Sequence, residues 1–202
     1  RSATMVILVG TGSRYEKDEE AGVSHFIEHL CFKGTENRPS PQQISEPIEG
    51  SGGTLNGSTD QEITTIWAKV ALPHLPETLD TLVDMLRNSR FDSEDIEKER
   101  RVILEELSMV KDNPNQWVEV LQDQLMWPDH PLGRDIGGTR ESVSGICRAQ
   151  ILEFLNNQHT PGKTVITVAG AVNHDEIVES LARRLDSWEP GPPTSFQAAE
   201  DR

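Results

Sequence analysis

The sequence predicts an α+β fold: a mixed or antiparallel sheet with helices packed on one face. Two observations carry this expectation. Short β-branched runs, two of them adjacent as a strand pair, are interleaved with longer stretches whose apolar residues recur at helical spacing. The end of the chain, "EPGPPTSFQAAEDR" (189–202), has the composition of a linker, so residues 1–188 are expected to be one domain.

The elements follow in order. "TMVILVGTGSRY" (4–15) reads as a buried strand running into a Gly-punctuated loop. Val23, Phe26, Ile27 and Leu30 form an apolar helical stripe within 21–33. "PSPQQISEPIEG" opens a helix with Pro41 in its first turn, and Pro47 is expected to kink or shorten it. "GGTLNGST" and "EITTIWAKVAL" predict the strand pair, with Ile63, Thr65, Trp67 and Lys69 on one face and Thr64, Ile66, Ala68 and Val70 on the other. Leu75, Leu79, Leu82, Val83 and Leu86 predict a helix over 74–90.

"DSEDIEKERRVILEELSMV" is a strong helix with Asp92 or Ser93 as its cap and acidic residues in the first turn. Asn113-Pro114 breaks it, and a further helix runs to about Met126. "WPDHPLGRDIGGT" reads as a loop. A helix near 146–157, the strand "KTVITVAGAV" and a helix over 174–187 complete the chain.

Composition removes several function classes. The 19 basic residues against 34 acidic ones give a net charge of −15, the wrong sign for a nucleic-acid-binding face. It suits solubility and attracts basic peptides at long range. An apolar content of 35 % is lean, but its periodic clustering allows a packed core. No apolar run reaches the ~18 residues of a membrane span, and no signal peptide is visible. Cys31 and Cys147 form no Cys-x-x-Cys and are expected to be two buried free thiols, with one disulfide as the alternative. Because the chain opens on Arg1, it is expected to be a fragment or a processed product.

The chemistry concentrates in "HFIEHLCFKGT" (25–35). Residues four apart share a helix face, so His25 and His29 can aim their imidazoles at one ion, which suits zinc. Glu28 flanks the same face without having to ligate, the place for a carboxylate that takes a proton from an attacking water. A catalytic zinc site needs a third protein ligand and an open position. Glu97, Glu99, Glu105 and Glu106 are the candidates; Glu99 and Glu106, seven apart, share a face to within about 20°. That pair gives a ligand and a supporting carboxylate about 10 Å apart along the helix. The plainer alternative is an amphipathic helix that happens to carry two histidines, with an acidic helix that is only a solvated face. Periodicity does not choose between the two readings.

The chain also resembles the pitrilysin-type (inverzincin) zinc metallopeptidases, a family that includes the β subunit of the mitochondrial processing peptidase and many short bacterial homologues. "GSRYEKDEEAGVSHFIEHLCFKGTENRPS" resembles the family's signature block, "IEGSGGTLNGSTDQEIT" its Gly-Gly-x-x-Asn-x-x-Thr strand, "FDSEDIEKERRVILEEL" its glutamate helix and "HPLGRDIGGTRESV" its later loop. The resemblance implies a zinc endopeptidase domain acting on unfolded peptides. It implies His25 and His29 as ligands, Glu28 as general base, and a third ligand whose spacing falls on Glu105 or Glu106. The family's supporting glutamate seven residues earlier then selects Glu106 with Glu99, since Glu105 would require it at Lys98. Asn56 matches an asparagine on the edge strand where peptides add as an extra strand.

The resemblance further implies one zinc ion per chain and a homologous second domain or partner subunit that encloses the substrate, with dimerisation in the full-length protein. It also implies that the family's first strand is missing here. Ser24 and Cys31 depart from the family pattern and read as packing variants. A non-catalytic partner subunit of the same fold is the alternative; it would be expected to lose the histidines or Glu28, and all three are present. A purely structural zinc module is disfavoured by Glu28, since such sites are closed by four protein ligands. A bacterial cytoplasm is the expected location, with a mitochondrial matrix second.

Overall fold

In the computed structural model, residues 1–191 and 195–199 are described. The first strand, β1 (Ser2–Val9), is followed by α1 (Val23–Cys31), α2 (Pro41–Glu49), β2 (Thr54–Thr59) and β3 (Thr64–Ala71). Next come α3 (Leu75–Asn88), α4 (Ser93–Asp112), α5 (Pro114–Met126), α6 (Arg140–Gly145) and α7 (Arg148–Gln158). Strand β4 (Thr164–Gly170) and helix α8 (His174–Leu185) follow. The four strands form one antiparallel sheet in the order β2-β3-β1-β4.

The period-two pattern of the sequence becomes the two faces of this sheet. Ala3, Met5, Ile7 and Val9 of β1 point inward, in register with Val70, Ala68, Ile66 and Thr64 of β3. The alternate residues Trp67 and Lys69 are more exposed. Helices α1, α2 and α3 pack against the inward face, and Phe26, Ile27, Leu30, Ile44, Ile48 and Leu82 fill the space between. One apolar cluster joins this layer to Ile96 and Ile103 of α4 and to Ile151 and Phe154 of α7. Ile103 is fully buried, so α4 is seated on the core by the residue between Glu99 and Glu106. Truncating such a side chain to alanine costs about 2–5 kcal/mol.

Local chemistry explains the boundaries. Pro114 opens α5 while Asn113 caps it, its side chain accepting from the Asn115 N–H at 3.1 Å. Asp92 occupies the cap position of α4 without a side-chain cap bond. Helix α2 continues two residues past Pro47, so the proline sits in the last turn and costs few bonds. Between the expected loop, which ends at Thr139, and the helix expected near 146–157 lies α6, a turn and a half opened by a Thr139–Ser142 capping box.

Two other expectations need correction or limits. Cys31 is buried but Cys147 is exposed, because it occupies the cap position of α7 at the surface; both are free thiols. Of the expected linker, 192–194 and 200–202 lie outside the described residues. Residues 195–199 carry no helix or strand, yet Phe196 packs edge-on against Tyr15 with the Arg14 guanidinium 3.7 Å from its ring centre. Among the described residues no helix is long and apolar enough to cross a membrane.

Candidate metal centre

Helix α1 presents His25 and His29 on one face, with ring centroids 4.6 Å apart and planes nearly perpendicular. Helix α4 crosses it and brings Glu99 and Glu106 to opposite edges of the same imidazole. Glu99 Oε2 lies 3.1 Å from His29 Nδ1, and Glu106 Oε2 lies 3.5 Å from His29 Nε2. The seven-residue spacing thus places one carboxylate behind the histidine and one in front of it. Glu105 does not join the cluster.

The front group is the informative one. His25 Nε2 and His29 Nε2 are 3.1 Å apart, and Glu106 Oε2 stands 3.8 and 3.5 Å from them. The two contacts to Glu106 are too long for hydrogen bonds, so the carboxylate stands off the close imidazole pair and leaves a gap between the three atoms. A circle through three points at these separations has a radius of about 2.0 Å, the Zn–N and Zn–O bond length. Among the described residues, His25, His29 and Glu106 form the group able to hold a metal ion. Two imidazole nitrogens and a carboxylate are a donor set that zinc takes, and with three protein donors a fourth position stays open.

Electrostatics favours the ligand form of this set. Burial, then the neighbouring His29, lowers the His25 pKa to about 4, so its ring is neutral and its lone pair free at ordinary pH. Glu99, 7 % exposed, also pairs with Lys33 Nζ at 2.9 Å. Lys33 pairs with one of the two carboxylates, Glu99 and Glu106, that flank His29, which leaves excess negative charge that a divalent ion would offset. His25 Nδ1 is buried with no hydrogen-bond partner among the described residues.

Glu28 stands beside this group. Its Oε2 accepts from the Thr59 hydroxyl at 2.6 Å, and burial raises its pKa while that bond and His29 oppose the rise. A side chain added at Gly57 would come within 3.1 Å of Glu28 Oε1, so glycine there leaves that oxygen open. His25, Glu28, Thr59, Glu106, Asp135 and Gly137 are among the residues lining a cleft of about 360 Å³ over the site. Asn56 lies on β2, the sheet edge beside α1, and is not among the residues lining the cleft; its Oδ1 accepts from the Gly57 N–H at 2.8 Å.

Sequence reasoning missed Thr59, Gly57, Lys33 and Asp135. The first two had a signal: with period two, residues 57 and 59 of an edge strand share the face opposite Asn56. Lys33 lies four residues after His29, one turn on. Asp135 had only its place in the block "HPLGRDIGGTRESV", since a loop brings it in.

Comparison with known proteins places the chain. A profile described as Insulinase (Peptidase family M16) matches residues 1–140. The mitochondrial-processing peptidase subunit beta of Dictyostelium discoideum is 41 % identical over 186 residues, covering 91 % of this chain and 39 % of that protein. The uncharacterized zinc protease YmxG of Bacillus subtilis is 35 % identical over 201 residues, covering 99 % of this chain and 49 % of that one. The crystal structure of a protease from Helicobacter pylori superposes with a TM-score of 0.90 at 21 % identity, over 98 % of this chain and 47 % of that one. The chain therefore spans less than half the length of these relatives.

Proposed function

The chain belongs to the insulinase family of peptidases, M16, and we propose that it carries the zinc-dependent peptide-hydrolysing centre of its protein. In this reading His25, His29 and Glu106 hold one zinc ion, Glu28 is the general base and Glu99 orients His29. The observation that carries it is the three-atom gap of about 2.0 Å radius opening on the cleft that also holds Glu28. The names of relatives as zinc protease and processing peptidase support the same choice of metal and reaction.

A zinc ion held by His25, His29 and Glu106 would supply Lewis acidity there, for the scissile carbonyl and for water, whose pKa it would lower from about 15.7 towards about 7. Glu28 takes the proton of the attacking water on Oε1, since Oε2 is engaged by Thr59. The raised pKa makes it a stronger base than an exposed glutamate, and able to hand the proton on to the leaving amine. Glu99 accepts from His29 Nδ1, which fixes the tautomer with Nε2 unprotonated. The edge strand β2 offers unpaired backbone to an extended peptide, whose recognition is then by main chain rather than sequence. Asn56 joins it by turning its amide from Gly57 to the peptide.

The remaining length of the relatives, one of them named as a subunit, supports a homologous second domain or partner subunit that closes over the cleft. The test is Glu28→Gln in the full-length protein, assayed on an unfolded peptide. Zinc content unchanged with hydrolysis lost is the expected result; retained turnover removes Glu28 as the base.

A further inference from the structure

We propose that Glu16 is a positioning residue for the metal-binding helix: its carboxylate fixes the first turn of α1 and so the aim of His25 and Glu28 into the cleft. The inference rests on the reading of α1 given above. Helix α1 begins at a left-handed Gly22 that provides no side-chain cap for its free N–H groups. Glu16 supplies one from outside. Its Oε2 accepts from the Gly22 N–H and its Oε1 from the Ser24 N–H, each at 2.8 Å, and the residue is 4 % exposed.

Ser24 is the second residue of the helix, next to His25, and Glu28 stands four residues on, one turn above it on the same face. Holding the Ser24 N–H from a fixed point therefore sets the rotation of the turn that presents both side chains. The fixed point is itself anchored. Arg134 donates to the backbone oxygens of Glu16 at 2.7 Å and Ser13 at 3.1 Å and pairs with Asp18. Helix α6, which follows the loop holding Arg134, closes on the residues before α1, where Ser142 Oγ donates to the Ala21 carbonyl at 2.7 Å. At Gly138 (φ 81°) a side chain would lie 2.2 Å from that carbonyl, so the approach needs glycine. In the loop between Arg134 and α6, Asp135, Ile136 and Gly137 also line the cleft.

The cost of the arrangement supports a functional purpose. Burial pushes the Glu16 carboxyl up to about 7, against the pull of its two backbone bonds. A buried carboxylate of this kind is a stability burden, and such burdens persist where they hold a working geometry.

Glu16→Gln keeps the shape but turns an amide NH2, a donor, towards one of the two N–H donors. In the full-length protein the expected result is a fall in kcat of about 10–100-fold with KM within about twofold, the loss typical of a displaced supporting group. The visible absorption of the cobalt-substituted protein changes with it, and the melting temperature at pH 7 is not lowered. A merely structural role would lower the melting temperature and leave kcat and the cobalt spectrum of the folded fraction as in wild type; that result overturns the proposal. If Glu16→Gln does not fold, Glu16→Asp keeps the charge one methylene short and is read by the same split. A wild type that binds no metal overturns the metal reading itself. A metal-loaded, active wild type matched by Glu16→Gln in kcat and spectrum overturns only the role of Glu16.

Discussion

Replacing Glu99 with glutamine separates a ligand from the group behind it. The carboxylate is 7 % exposed and serves two donors at once, His29 Nδ1 at 3.1 Å and Lys33 Nζ at 2.9 Å. Glutamine keeps the volume but offers one acceptor oxygen, so one charge-assisted hydrogen bond is lost, worth about 1.5–3 kcal/mol. Loss of a carboxylate behind a metal-bound histidine weakens metal binding by about 10–100-fold, or about 1.4–2.7 kcal/mol. The two figures agree, so the zinc Kd of Glu99→Gln is expected to rise 10–100-fold. Competition against a chromophoric chelator measures it directly. A change under about twofold refutes the argument that Glu99 sets the orientation of His29. A loss as complete as that of Glu106→Gln refutes it in the other direction, by making Glu99 a ligand.

Three further outcomes are expected. Gly57→Val places a branched side chain against Glu28 Oε1, so turnover of a zinc-loaded protein falls at least tenfold while zinc content holds, read by peptide hydrolysis with metal analysis. Because Glu16 is raised to about 7 when folded, the native state keeps its proton to higher pH than the unfolded chain does. Its contribution is present below about pH 4.5 and declines by up to about 3 kcal/mol as pH rises to about 7. Urea unfolding of wild type and Glu16→Gln across that range is expected to show wild type losing up to about 3 kcal/mol relative to the variant as pH rises, and parallel curves would contradict it. Cys147 is exposed, whereas burial pushes the Cys31 thiol up to about 12. A thiol reagent at pH 8 therefore labels one cysteine quickly and the second only on unfolding; two fast thiols would show that Cys31 is accessible.

What the sequence made legible was whatever is decided locally. The break at Asn113-Pro114 and the stripe of Val23, Phe26, Ile27 and Leu30 follow from proline chemistry and helical period, and both appear where expected. Helix α6 was not legible because six residues show no period. The same division holds at the site. His25, Glu28 and His29 are read from one turn of helix. Choosing Glu106 over Glu105 depends on how α4 is rotated against α1, which Ile103 sets by its burial and which spacing alone left open. Glu16, Gly57, Thr59 and Asp135 reach the site through a cap, an edge strand and a loop. Only tertiary packing brings these together.

The measurement that tests the central claim most directly is zinc content after dialysis, by elemental analysis, of wild type beside Glu106→Gln and Glu105→Gln. About one zinc per chain in wild type and in Glu105→Gln, with none in Glu106→Gln, is the result the three-atom gap predicts. A folded wild type without zinc, or a Glu106→Gln that keeps its full complement, would contradict it.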